Sequence, residues 1–280
     1  MTNACRAVLF FLAGALLIGA AAPREGGTGF AAGQFMIKDS GPLANGLAFF
    51  FNDATGPAPS ETKYWRVPDH VAALDGNGRF SVELPSGKYY IGGIKRVSGK
   101  QHIGPPEEGD LFLGSRGSEG KPIPAYVVKT GERTDVGILS GASPFRRAVV
   151  QYGPGITAID GMVLYPDGRP AEGALVFGYL SPTMVGKPTF VSERTGKDGM
   201  YILRVNTGGR YYLKVRDLYG GGPPAAGAIM GSYGQEKPTE VTVKTGERTS
   251  GITIKVIRFP GRGPGGAAAK GAPPSQTGKE

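Results

Sequence analysis

Cysteine is almost missing from this 280-residue chain. The one cysteine, Cys5, precedes the apolar run of residues 7–20, whereas a lipid-anchoring cysteine would follow such a run. Beyond the N-terminal segment, no thiol remains for a disulfide, for redox chemistry or for a thiolate metal site. The fold must therefore be stabilised by an apolar core, and the length suffices for two ordinary domains.

Histidine is equally scarce. The chain has only His70 and His102, and neither stands at metalloprotease spacing from a glutamate. No Gly-x-Ser-x-Gly nucleophile elbow is present, and the adjacent Glu107 and Glu108 lie in a predicted loop without an apolar pocket to raise a pKa. We predict exposed loop histidines and a protein that is not an enzyme, with no catalytic, cofactor-binding or metal-binding residues. Whether turns such as residues 75–78 bind Ca²⁺ stays open.

The N-terminal segment has the pattern of a secretory signal. One positive charge, an apolar run and three alanines precede Pro23. The run is shorter than the roughly 20 residues that a membrane-spanning helix needs. We predict a signal peptide at residues 1–22, export to the periplasm or the extracellular space, and no membrane span after cleavage. The cleavage position, an uncleaved anchor and association with the cell surface remain open alternatives.

Helix-favouring periodicity is nearly absent, whereas glycine and proline are abundant. The chain has 48 glycines and 23 prolines, and they separate short apolar stretches of alternating pattern. This arrangement is typical of the turns and strands of an all-β protein. The net charge of +9 suggests acidic proteins, anionic polysaccharide or lipid headgroups as partners of an exported protein, with solubility as the alternative explanation. We do not expect nucleic acid.

A seven-residue repeat organises the chain. Residues 128–134 (Val-Lys-Thr-Gly-Glu-Arg-Thr) recur letter for letter as residues 243–249. We interpret each copy as the turn of a closing β-hairpin, in which glycine supplies the positive φ. Other strand landmarks recur in the same order. They predict a first β-sandwich domain at 28–142, a linker at 143–156, a second domain at 157–259 and a disordered tail at 260–280.

The second unit resembles the carboxypeptidase regulatory-like domain family. The resemblance rests on three stretches: Pro-Asp-Gly-Arg-Pro-Ala within 161–176, Asp-Gly-x-Tyr-x-Leu-x-Val at 198–205, and Gly-x-Tyr-Tyr-Leu-x-Val at 209–215. The first unit is a weaker copy, with Ser-Gly-Pro-Leu at 40–43 in place of Asp-Gly-Arg-Pro. The resemblance implies two tandem seven-stranded Greek-key, transthyretin-like β-sandwiches. It further implies a structural, folding-support or ligand-binding role.

Candidate binding residues come from the segments between the strands. Tyr64, Trp65 and Arg66 place aromatic rings beside cations in a long irregular segment, with a short extra strand as an option. Such residues suit stacking on a sugar or a protein hot spot, and the alternative is that Trp65 covers the open end of the sandwich. Loops 97–124 and 216–238 are further candidates. If the strands alternate in direction, loop 97–124 emerges at the end opposite Trp65.

These features predict an exported, non-catalytic module for protein–protein binding or scaffolding at the cell envelope. The alternative is a carbohydrate-binding module, whose partner would be an envelope polysaccharide. The identity of the partner and the oligomeric state stay open.

Overall fold

The computed structural model describes residues 26–99, 102–114, 124–147, 155–219 and 223–261. The predicted signal peptide lies outside these residues, as do part of the linker and nearly all of the predicted tail. Within the described ranges, no helix is both long and apolar enough to cross a membrane.

Strands and turns make up nearly all of the described residues. The strands of the first half are β1 Thr28–Ile37, β2 Leu47–Asn52, β3 Trp65–Arg66, β4 His70–Ala73, β5 Arg79–Pro85, β6 Gly87–Lys95, β7 Leu111–Leu113, β8 Tyr126–Val128 and β9 Arg133–Pro144. Those of the second half are β10 Thr157–Leu164, β11 Leu175–Tyr179, β12 Phe190–Val191, β13 Met200–Val205, β14 Gly209–Arg216, β15 Ile229–Ser232, β16 Glu240–Val243, β17 Arg248–Thr249 and β18 Ile254–Arg258. A single 3-10 turn, Asp53–Thr55, follows β2.

The first unit is a sandwich whose two layers are joined by β9. One layer contains β5, β1 and the first part of β9, with β1 and β9 parallel. The other contains β4, β2, β6, β7 and β8. The end of β9 pairs with β7 in that second layer, and two register shifts along β9 accompany the change of layer.

The second unit repeats this plan. One layer contains β13, β10 and β17, and the other contains β12, β11, β14, β15 and β16. Here β18 joins the layers, because it pairs with β10 at its start and with β15 beyond. The predicted all-β fold of two tandem sandwiches is confirmed. The two sheets hold eight and ten strands, more than the seven predicted for each unit, and β3 of the first half is one of the ten. The short strands β7 and β15 lie inside segments predicted as loops.

Each unit has its own apolar core, built by alternation along the strands. Phe35, Phe50 and Phe80 pack together in the first core. The corresponding tyrosines Tyr89 and Tyr211 are almost fully buried, and each donates its hydroxyl to the backbone carbonyl four residues earlier, at 2.9 and 2.8 Å. A buried tyrosine needs such a partner, and the equivalent bonds show that the two units share local detail.

The repeated heptapeptide forms a corner between layers, so the hairpin prediction is wrong. Before the turn, β8 pairs with β6, and after it β9 pairs with β1 in the opposite layer. The second copy likewise separates β16, which pairs with β14, from β17, which pairs with β10. Hydrogen bonds within one strand pair cannot hold such a corner, so side chains contribute.

Three parts of the heptapeptide stabilise each corner. The lysine and glutamate form an exposed ion pair, at 3.5 Å in the first copy and 3.8 Å in the second. The last threonine donates its hydroxyl to the carbonyl seven residues earlier, at 3.0 Å in both copies. Gly131 and Gly246 adopt φ of 72° and 79°. The lysine, glycine, glutamate and last threonine therefore have the same structural role in both copies.

Replacing Gly131 by alanine should destabilise the protein by roughly 1–2 kcal/mol, because φ of 72° is unfavourable for a residue with a Cβ atom. An added Cβ would have open space there, so the cost is conformational. Gly76→Ala is the matched control, since Gly76 lies in an equally open turn without a positive φ. Thermal unfolding of both variants measures the difference, and equal melting temperatures would contradict this explanation.

Candidate binding cleft between the two units

The first unit contributes a strand to the sheet of the second. After β2 the chain leaves its own sheet, and residues 53–69, which we call the arm, reach the second unit. There β3 pairs antiparallel with β12, with Trp65 opposite Val191 and Arg66 opposite Phe190. Val67 continues the pairing through a 3.0 Å bond to the Thr189 carbonyl. The arm thus extends a sheet by one strand at its edge, which is how many extended peptides bind to proteins.

Tyr64 anchors the arm in the core of the second unit. Its side chain belongs to the second core cluster and packs edge-on against Phe190, with ring centroids 5.4 Å apart. The hydroxyl donates to the carbonyl of Ala58 at 2.7 Å. This residue of the first half of the sequence is therefore part of the apolar core of the second unit.

Trp65 is enclosed at the joint between the units. Its indole nitrogen donates to Glu193 Oε1 at 3.2 Å. The guanidinium of Arg204 lies 5.8 Å from the ring centroid, and the rings of Phe112 and Phe145 approach at 6.1 and 5.9 Å. Trp65 is 9% exposed as a result. The only tryptophan of the chain thus holds residues of both halves together.

Arg66 and Asp69 form the charged part of the joint. The Arg66 side chain is fully buried, donates to backbone carbonyls of the arm and of the end of β2, and lies 2.9 Å from Asp69 Oδ2. Lys187 of the second unit lies 3.0 Å from Asp69 Oδ1. Burial alone would raise the pKa of Asp69, but the Thr55 hydroxyl and Lys187 outweigh it and hold that pKa below its usual value. The two units are therefore ion-paired through Asp69.

A second buried ion pair shapes the loop after β6. Arg96 lies 2.7 Å from Asp110 Oδ2, and both side chains are almost fully buried. Arg96 also donates to the carbonyls of His102, Gly104 and Pro105. Because these bonds fix residues 102–110 against the end of β6, the loop is a rigid wall of the joint.

The joint contains a cleft of about 370 Å³ with a mostly apolar lining. Phe49, Phe51 and Tyr90 line it from the outer face of the first unit, and Phe177 and Tyr219 from the second. Along β2, Phe50 points into the core while Phe49 and Phe51 point into the joint. The arm and residues 103–106 complete the walls.

The prediction that Trp65 and loop 97–124 emerge at opposite ends is wrong. Phe112 of that loop contacts Trp65, and both line the same cleft. The prediction assumed that the chain only alternates up and down. The arm instead crosses out of its sheet to the neighbouring unit, which brings both segments to one place.

A polar cleft of about 310 Å³ lies on the other side of residues 104–106. Arg194 of the second unit lies 3.2 Å from Glu107 of the first. His102 is half-buried there, and burial, followed by Arg96 and Arg194, lowers its pKa. His70 lies in strand β4, so neither histidine is the exposed loop residue predicted. In the part of the chain that the structure describes, no three His, Cys, Asp or Glu side chains are grouped to hold a metal ion.

No family model and no curated protein matches the chain, so the carboxypeptidase regulatory-like resemblance stays a prediction. Solved structures that resemble it include the TIE protein of Bacillus anthracis (13% identity, TM-score 0.25, covering 82% of this chain and 34% of that one). Others are the minor pilin GBS52 of Streptococcus agalactiae (13%, 0.26, 89% and 100%) and the shaft pilin SpaA of Lactobacillus rhamnosus GG (12%, 0.23, 83% and 99%). The chain thus spans about a third of the first of these proteins.

All three predicted site residues lie at the joint. Tyr64 is in a core, Trp65 is enclosed and Arg66 is buried, yet all three contribute to the cleft wall. The prediction missed Phe112 and Tyr219. The unbroken apolar runs of β2 and β11 indicated that both faces of these strands are covered, because a strand with one face in solvent alternates between apolar and polar residues.

Replacing Tyr64 by alanine should destabilise the protein by about 3–5 kcal/mol, because a buried aromatic ring is removed from the core of the second unit. The matched variant Tyr64→Phe keeps the ring and loses the bond to Ala58, which should cost about 1 kcal/mol. Urea denaturation of the full chain measures both. A small effect of the alanine variant would show that the arm does not stabilise the second unit.

Acidification should weaken the joint through Asp69. A carboxyl group whose pKa is depressed in the folded state contributes stability above its unfolded pKa of about 3.9, and loses it as the pH falls through the folded value. Asp69→Asn should flatten the dependence of the unfolding midpoint on pH below about 4. The exposed Asp39→Asn is the control and should follow the wild type. Parallel curves for all three proteins would refute the role of Asp69.

Proposed function

We propose that this chain is an exported, non-catalytic module that binds a partner protein at the cell envelope, with the cleft between its units as the binding site. The observation that carries this proposal is the apolar, aromatic lining of a cleft walled by both units. Apolar clefts with a few polar groups at their edges are the usual form of binding sites in proteins. The secretory pattern of residues 1–22 supports export.

The ties across the joint support a preformed site. Strand pairing, Tyr64, the Asp69 ion pairs and the bond between Glu107 and Arg194 all connect the two units. A site that is already ordered loses less entropy when it binds, so more of the contact energy remains as affinity. These ties also suit a scaffolding role, in which two units keep a fixed relation.

The enclosure of Trp65 favours a protein over a polysaccharide. Stacking on a sugar needs an open ring face, whereas the Trp65 ring is approached by Arg204, Phe112 and Phe145. The apolar side chains lining the cleft match aliphatic and aromatic side chains of a polypeptide.

Site-specific photocrosslinking tests this proposal. A photoreactive phenylalanine analogue at Tyr90, which lines the cleft, should crosslink to an envelope protein. The same analogue at Ile138, which is 67% exposed on the other layer of the first unit, is the control and should not. Equal crosslinking at both positions, or none at Tyr90, would contradict the proposal. A saturable change in Trp65 fluorescence with envelope oligosaccharides would support the carbohydrate alternative.

A further inference from the structure

On the second unit, a basic cleft adjoins the apolar cleft of the joint. It has a volume of about 510 Å³ and is lined by residues of the loop between β11 and β12 and by the outer face of β14. Alternation along β14 directs Tyr211, Leu213 and Val215 inward, which leaves Lys214 and Arg216 on the outer face. Lys214 lies opposite Phe177 in the pairing of β14 with β11, and is therefore next to a residue that lines the apolar cleft. None of the described residues that line this cleft is acidic.

The two clefts lie next to each other and share part of their lining, and together we call them the groove. Phe177 and Tyr219 line both of them, and their ring centroids are 5.8 Å apart. Burial, with smaller contributions from Tyr179 and Asp69, raises the pKa of Tyr219 to about 12. An extended ligand that crosses this pair of rings would reach from the apolar cleft into the basic cleft.

Exposed apolar side chains surround the basic cleft. Leu180, Val185 and Leu218 are 62%, 80% and 60% exposed, and the last two lie beside the cleft. Single exposed apolar residues need no explanation, but Val185 and Leu218 line one cleft and offer apolar contact beside its basic side chains. Lys187, Lys214 and Arg216 supply positive charge in the same cleft, and Lys187 also forms an ion pair with Asp69.

We propose that the groove binds an extended segment of a partner protein in which a run of aliphatic or aromatic residues adjoins a run of acidic residues. The apolar residues occupy the joint cleft, and the carboxylates lie over Lys214 and Arg216. This inference rests on the proposed function and names the chemistry of the partner. Charge complementarity selects the acidic part of the segment. A concave groove suits a peptide better than a membrane, because a flat bilayer would reach only the loop tips.

The single tryptophan gives the binding assay. Trp65 lines the apolar cleft, so its fluorescence reports occupancy without a label. The probe is a synthetic peptide of about twelve residues, or roughly 40 Å when extended, with leucine and phenylalanine in one half and aspartate and glutamate in the other. Both orders of the halves are tested. One control peptide replaces the acids by lysine, and another replaces the apolar residues by serine.

We expect a saturable change in Trp65 emission with the acidic apolar peptide in one of its orders. Lys214→Glu should weaken binding at least about tenfold, and added salt should weaken it further. The lysine-substituted peptide should bind Lys214→Glu better than it binds the wild type. Lys244→Glu is the matched control, since this exposed lysine lies on the repeated corner outside both clefts, and it should bind like the wild type.

Equal binding of the acidic and basic peptides, or an unaffected Lys214→Glu variant, would overturn the inference. No saturable change with any peptide would also overturn it, while crosslinking at Tyr90 would still decide the proposed function separately. A Trp65 response to vesicles of anionic phospholipid that Lys214→Glu abolishes would identify a membrane surface in place of a peptide.

Discussion

The pairing of β3 with β12 is the interaction on which the rest of the molecule depends. Two β-sandwiches on one chain need not touch, and tandem domains commonly move independently unless their interface is large and apolar. Here one unit extends the sheet of the other and places Tyr64 in its core. The outer faces of β2 and β11 then face the joint, which explains why both strands are apolar on two sides.

The buried charges of the joint fix its geometry more than they add to its stability. Removing two charges from water is costly, so a buried ion pair contributes little net free energy, whereas the loss of one partner is expensive. The pair of Arg96 and Asp110 orders residues 102–110, and that of Arg66 and Asp69 orders the arm. Both segments are therefore bonded to the strands beside them, and these bonds hold the walls of the cleft in place.

Local pattern was enough to predict the strands, but not their partners. Alternation and turn glycines predicted β5, β6, β13 and β14, and the internal repeat predicted two sandwiches. The repeated corner was mistaken for a hairpin because the same turn residues serve either geometry, and only the partners β6 and β1 distinguish the two. The position of Trp65 could not be predicted from local sequence either, because its strand pairs with residues about 125 positions away. Its sequence did suggest a short extra strand.

The two units differ where function is proposed. Their corners and buried tyrosines are equivalent, and these parts account for the fold. The segments after the second strand of each unit differ: residues 53–69 form the arm, and residues 180–189 carry exposed Leu180 and Val185 and lead into β12. These two segments occupy equivalent positions in the repeat and meet at the joint. The repeat thus accounts for the two sandwiches. The longer segment of the first copy reaches the second copy, and the groove at this contact is one that neither unit has alone.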